Sequence, residues 1–273
     1  SNHADARLRG IRVLEQLGDI QGAHDAARAL QQQSAREEDQ QQLARSLPRL
    51  RHKLGLEKLP VPVLLAAEEQ EIVLEPVDGL SVESCLREHL HRDDAPVFYV
   101  ENALINSLFG LLCWPAIFMP VPGAFFHAFH YGPADLHHPD FRARRAAEFS
   151  RCLGQLENGG YKDTILRSWQ AKQGLQSPFV YWDALDEELL RMALDCIPAA
   201  HLRLMFERLL ADIRSNRSGF PDLIRFWPAE KRYLMLEVKG PGDHLQDNQI
   251  RWLDYCQRHD IPVAVAYVSW AAA

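Results

Sequence analysis

Residues 219–243 read GFPDLIRFWPAEKRYLMLEVKGPGD, and the fold of the C-terminal part turns on how they alternate. Two apolar runs, PDLIRFW and RYLMLEVK, flank Pro-Ala-Glu-Lys, which predicts a hairpin. In the second run Glu237 and Lys239 stand two residues apart, so both side chains leave one face of the strand. Leu234, Leu236 and Val238 fill the other face. A strand this apolar belongs in the middle of a sheet, with an acid and a base in or beside a buried region. Downstream, GPGDH reads as a loop, QDNQIRWLDYCQRH as a helix with Trp252 in the core, and IPVAVAYVSW as a closing strand. Helix, hairpin, helix and strand predict a small α/β unit with a mixed sheet.

Ionised groups are expensive to bury unless they are paired or bind a metal. The hairpin brings Asp222, just after Pro221, toward Glu237, and hard oxygen ligands suit Mg²⁺ or Mn²⁺. Such an ion polarises a phosphoryl oxygen and lowers the pKa of bound water. Lys239 would then steady the attacking hydroxide and the charge growing on phosphate. Glu-x-Lys alone is equally a structural pair in an ordinary strand. The specific signal is the whole pattern: Pro-Asp, fourteen residues, Glu-x-Lys in an apolar strand, then a helix.

Further upstream, VFYVENALINSLFGLLCW predicts a helix over 97–114 whose sole charge is Glu101. Glu101 shares a stripe with Leu104, Ile105, Leu108, Leu111 and Leu112, which predicts a core-facing carboxylate in need of a partner. The alternative is an N-terminal Glu favoured by the helix dipole.

Composition bounds the rest. With 273 residues, 47% hydrophobic and 25% charged, the chain is neither disordered nor low-complexity. Five scattered cysteines without C-x-x-C spacing argue against a disulfide framework or a zinc ribbon, and for a reducing, intracellular setting. Residues 102–126 carry no charge, but Pro115, Pro120 and Pro122 interrupt them, so no membrane span is expected. The chain opens Ser-Asn-His and reads as a fragment of a longer protein.

A net charge of −7 weighs against nucleic acid until its distribution is seen. Residues 61–101 hold ten acids and two bases, whereas 141–181 hold seven bases and three acids. Basic amphipathic helices are expected at 141–157 and 161–172, with more helix over 183–214. Arg142, Arg144, Arg145, Arg151 and Lys162 could contact phosphates, and Phe141, Tyr161 and Trp169 could stack on bases; a solvated face is the alternative. Lys172, Arg217 and Arg251 are weaker candidates. Residues 7–54 predict helices around a Gly-Asp turn, either a tetratricopeptide-like unit or a plain helical hairpin, and 57–80, with Pro60, Pro62 and Pro76, a connector. The histidines at 127, 130, 137 and 138 lack ligand-like company, GPGD reads as a simple turn, and no covalent nucleophile is evident.

The Pro-Asp…Glu-x-Lys pattern resembles the PD-(D/E)xK nuclease superfamily. GFPDL followed by EVKGPGDHLQDNQIRWL, over about 215–270, resembles its VRR-NUC branch. With ENALINSLFGLLCWPAIFM and the basic helices, residues 95–273 resemble the Fanconi-associated nuclease family. The resemblance implies a restriction-endonuclease-like α/β core, a mixed sheet flanked by helices, preceded by an all-α, helical-repeat-like region. The expected domains are 1–94, helical region and connector, and 95–273, the VRR-NUC nuclease domain with its preceding helices. Glu101, Asp222 and Glu237 match the metal ligands, the Val238 carbonyl a further one, and Lys239 the catalytic lysine. Gln249 would order the site or hold DNA backbone, an exposed helix-start glutamine being the alternative.

The implied activity is a Mg²⁺- or Mn²⁺-dependent phosphodiester hydrolase that cuts 5′ flaps and acts as a 5′-to-3′ exonuclease. Its partner would be branched or flap DNA in repair such as interstrand-crosslink repair, without a membrane, in the cytoplasm if bacterial or the nucleus if eukaryotic. Repair-protein partners are not specified. A junction-resolving or restriction-type nuclease shares the same site chemistry, and a non-catalytic DNA- or protein-binding scaffold is the alternative of another class. Family members carry a DNA-binding portion before the helical repeats, which this sequence does not include, so reduced flap selectivity is expected.

Overall fold

The computed structural model describes residues 2–34, 36–58, 64–127 and 129–271; Pro60 and Pro62 of the expected connector lie outside them. The chain divides into two compact units, residues 1–64 and 65–273.

The first unit is three helices, α1 (Asn2–Gln16), α2 (Ile20–Gln33) and α3 (Glu37–Lys53). As the Gly-Asp turn predicts, Asp19 caps α2 by accepting the Gly22 N–H at 2.9 Å. Leu8, Ile11, Ala23, Ala27, Leu30, Leu43, Leu47 and Leu50 bury their side chains between the three helices.

The second unit is built on one five-stranded sheet. Its elements are β1 (Glu68–Leu74), α4 (Val82–Leu90), β2 (Val97–Tyr99), α5 (Leu104–Leu112), α6 (Trp114–Ile117), α7 (Ala146–Asn158), α8 (Tyr161–Ala171), α9 (Glu187–Cys196), α10 (Ala199–Ala211), α11 (Ile213–Asn216), β3 (Leu223–Trp227), β4 (Arg232–Lys239), α12 (Asp247–Arg258) and β5 (Val263–Trp270). The strand order is β1-β5-β4-β3-β2. β3 and β4 form the expected antiparallel hairpin, turned by Pro228–Glu230 and by Lys231 at φ +50°. The crossover through α12 returns β5 parallel to β4, so the sheet is mixed and β4 is its central strand.

Alternation along β4 separates two layers. Tyr233 and Met235 join Ile224, Phe226, Val263 and Val265 under the helices, including Phe109, Phe206 and Trp252. Leu236 and Val238 join Leu223, Ala264, Ala266 and Val268 beneath Cys85 and Leu86 of α4. All five cysteines are buried and free. Among the described residues no helix is long and apolar enough to cross a membrane.

Two expectations are corrected. Residues 65–94 belong with the sheet rather than with the helical region: β1 pairs in parallel with β5, and α4 covers one face. β1 reads EEQEIVL with its acids exposed, the charged style of an edge strand rather than an apolar one. The expected 97–114 helix starts only at Leu104, because Val97–Tyr99 pair with Leu223–Arg225 of β3 as an antiparallel edge strand. These residues are β-branched and aromatic, and the sheet wins them.

Candidate active site

Three backbone segments meet at Asp222. The pair Leu223–Leu236 sets the hairpin register, so Asp222, one residue earlier, lies opposite Glu237. The Asp222 carbonyl accepts N–H bonds from Val100 at 2.8 Å and Glu101 at 3.1 Å, which docks the end of β2 there. Its carboxylate Oδ2 accepts the Val238 N–H at 2.8 Å. Asp222 thus ties the segment carrying Glu101 to the strand carrying Glu237 and Lys239.

The acids are poorly compensated. Glu237 is fully buried at 0% exposure, Lys239 retains 7% and Asp222 8%. Lys239 Nζ lies 2.7 Å from Glu237 Oε1, and Glu237 Oε2 has no hydrogen-bond partner. Burial pushes the Glu237 carboxyl up to about 8; repulsion from Asp222 adds to this and the Lys239 ammonium opposes it. Burial likewise pushes Asp222 up to about 6, against the Val238 N–H and Lys239 and with help from Glu101 and Glu83. One cation does not neutralise this cluster. A divalent ion fits it on two grounds: a buried carboxylate oxygen without a partner, and an all-oxygen donor set from Asp222, Glu237 and Glu101. As the side chains stand, no three His, Cys, Asp or Glu among the described residues converge into a metal-holding group.

Glu101 departs from its expected placement. It is exposed and sits in the turn between β2 and α5, not on the buried stripe of a helix. The backbone bonds to Asp222 bring it to the site instead. Its Oε2 accepts from Tyr99 Oη and its Oε1 from Asn102 Nδ2 at 3.2 Å. Burial and the bond to Glu101 both raise the Tyr99 phenol pKa. Neither Tyr99 nor Asn102 stands out in the sequence, since no motif announces them. Gly219 is another silent requirement: at φ +96°, a Cβ there would meet the Asn248 backbone at 2.7 Å.

Four of the five basic-cluster candidates are paired with neighbouring acids. Arg145 is 1% exposed and makes a bidentate pair with Asp135 at 2.8 and 2.9 Å, with its guanidinium over the Phe141 ring. Arg144 bonds the same carboxylate at 2.8 Å and also the Pro122 carbonyl. Arg151 pairs with Glu148, and Lys162 with Asp195 at 3.0 Å. Phe141 and Tyr161 are buried, and Trp169 packs against the core. Arg142 remains exposed. Gln249 closes a capping box on α12, its Oε1 accepting the Gln246 N–H at 2.8 Å, so its side chain serves the helix start. The GPGD loop is a turn closed by Asp243, which accepts the Gly240 N–H at 3.0 Å. Trp252 is core, as expected, donating to the Asn216 carbonyl at 3.1 Å.

A family model described as the VRR-NUC domain matches residues 156–270, which include Asp222, Glu237 and Lys239. The chain is 56% identical to the Fanconi-associated nuclease 1 homolog of Pseudomonas aeruginosa over 271 residues, 99% of this chain and 48% of that protein. It is 30% identical to the Schizosaccharomyces pombe homolog over 70% of this chain and 28% of that protein. The chain therefore spans about half the length of the bacterial relative and less of the yeast one. Among solved structures, paFAN1 bound to 2nt 5′ flap DNA with a gap superposes with a TM-score of 0.95, covering 98% of this chain and 49% of that one. The same protein with a 1nt 5′ flap gives 0.94. Sequence, fold and the Asp222–Glu237–Lys239 arrangement agree: over nearly its whole length this chain is similar to Fanconi-associated nucleases, and it carries a match to the VRR-NUC domain.

Proposed function

We propose that this chain carries the catalytic site of a divalent-metal-dependent, structure-specific DNA nuclease, with Mg²⁺ or Mn²⁺ as the ion. It would cut 5′ flaps and degrade DNA 5′ to 3′ in repair such as interstrand-crosslink repair, in the cytoplasm or the nucleus. The observation that carries this reading is the under-compensated acid cluster beside Lys239 at the end of β4. The relative whose structures hold 5′ flap DNA supports the choice of substrate.

Glu101, Asp222 and Glu237, with the Val238 carbonyl, would hold the ion. When bound, it supplies Lewis acidity at the phosphoryl oxygen and a water acidic enough to attack at neutral pH. The residues do the rest. Asp222 and Glu237, held by a backbone bond and by the hairpin register, would present carboxylate oxygens to the ion. Lys239 contributes an ammonium in a buried setting, where its N–H donors orient the attacking oxygen and stabilise charge building on phosphate. The buried sheet face behind Glu237 excludes water from that side.

The test is cleavage of end-labelled 5′-flap, single-stranded and blunt duplex DNA in Mg²⁺, in Mn²⁺ and in chelator, with Lys239→Ala alongside. Metal-dependent cutting absent from the variant, with the flap ranked first, is the expected outcome. A preference for four-way junctions would favour a resolving nuclease. Absence of cutting in this chain and in a version extended to the length of its relatives would leave a scaffold.

A further inference from the structure

Glu101 is the exposed acid of the set and lies in the turn between β2 and α5, whereas Asp222 and Glu237 are buried. Two neighbours take hold of its carboxylate: Tyr99 Oη on Oε2 and Asn102 Nδ2 on Oε1 at 3.2 Å. The other end of the Asn102 amide is committed elsewhere. Its Oδ1 accepts the N–H groups of Gly219 at 2.8 Å and Phe220 at 3.1 Å, in the loop that delivers Asp222. Two N–H donors require the oxygen on that side, so the amide orientation is fixed and the NH₂ is directed at Glu101. Asn102 holds φ +51°, a left-handed conformation that asparagine tolerates better than other side chains. Asn106 tethers the same loop by donating to the Asn102 and Arg217 carbonyls, but it makes no bond to Glu101.

We infer that Tyr99 and Asn102 are positioning residues: together they clasp Glu101, and through Asn102 they set its place relative to Asp222 for the metal. This rests on the metal-site reading above. A side-chain amide that bonds one ligand and the loop carrying the next couples two acids that otherwise share only backbone contacts. Partners that orient metal ligands in this way typically contribute 10–100-fold to affinity.

Calorimetric titration of Mn²⁺ into the wild-type chain and three variants, with melting in chelator, tests the clasp. Asn102→Gly keeps the left-handed backbone and removes the amide; its Mn²⁺ dissociation constant is expected to rise by ~10-fold or more. Tyr99→Phe releases only Oε2 and leaves the loop tether in place, so it serves even if the glycine variant does not fold. It is expected to weaken Mn²⁺ binding by a smaller factor. Saturating metal should restore cleavage in both. Asn106→Ala loosens the loop without touching the carboxylate, so it should lower the melting temperature and leave Mn²⁺ affinity unchanged. Wild-type affinity in both clasp variants would overturn the inference. So would tighter binding, which would mean the clasp withholds Glu101, or an equal loss in Asn106→Ala, which would mean general loosening. Failure of the wild type itself to bind Mn²⁺ would instead remove the metal-site reading.

Discussion

Two buried ion pairs lie in the sheet-bearing unit, and they are built to opposite ends. At Asp135, 9% exposed, two arginines converge: Arg145 in a bidentate fork and Arg144 on the same Oδ2. Burial alone would raise this carboxyl, yet the two guanidiniums hold it below the usual carboxylate range. At Glu237 a single ammonium faces two neighbouring acids, one oxygen has no partner, and the carboxyl rises to about 8. The first pair is saturated and staples the 122–145 segment. The second is left short of positive charge, the feature on which the proposed cation site rests. Burial is common to both pairs; satisfaction of the charge is what differs.

That contrast can be broken by substitution. The largest effect is expected from Asp135→Ala, which strands a buried guanidinium and should destabilise the fold by about 3–5 kcal/mol, read by denaturant melts. Cleavage per folded molecule should not change. Next, Lys239→Ala should lower cleavage by roughly 10²–10³-fold in a single-turnover assay, with the far-ultraviolet dichroism retained. If the stability and activity losses fell on the opposite variants, the assignment of the two pairs would be reversed.

A smaller effect concerns pH. The folded carboxyls of Glu237 and Asp222 lie above their ordinary values, so the folded state holds protons that the unfolded state has released. Stability in chelator should therefore fall as pH rises from about 4 to about 8. Saturating Mn²⁺ should cancel the fall, so the metal-induced rise in melting temperature grows with pH. A metal response that is flat across this range would contradict the shortage of positive charge. Smallest of all, Arg142→Glu should reduce the slope of log affinity for DNA against log salt by about 1, whereas Arg144→Ala, already paired with Asp135, should leave it unchanged.

The hairpin, α12 and β5 were legible because their signals are local: alternation, a Pro-led turn and an amphipathic helix. Asp222, Glu237 and Lys239 followed from the register that the hairpin dictates. What escaped depends on contacts distant in sequence. Val97–Tyr99 continue smoothly into an apolar helix and declare themselves a strand only through β3. Arg145 reads as a surface cation until Asp135, ten residues earlier, is folded against it. Gln249 closes a box with Gln246, a pairing outside the usual Ser/Thr start. The helical spacing of Glu101 points to an apolar stripe that it does not occupy; its N–H bond to the Asp222 carbonyl places it instead. Asn102 depends on a positive φ that sequence does not display.

The most direct test of the acid cluster is thermal melting of the wild-type chain and Glu237→Gln at pH 8 across a Mn²⁺ titration. The wild type should gain melting temperature saturably with metal, while Glu237→Gln, lacking the buried carboxylate, should respond little. A wild-type melting temperature indifferent to Mn²⁺, or an equal rise in both proteins, would contradict a divalent-metal site at the end of β4.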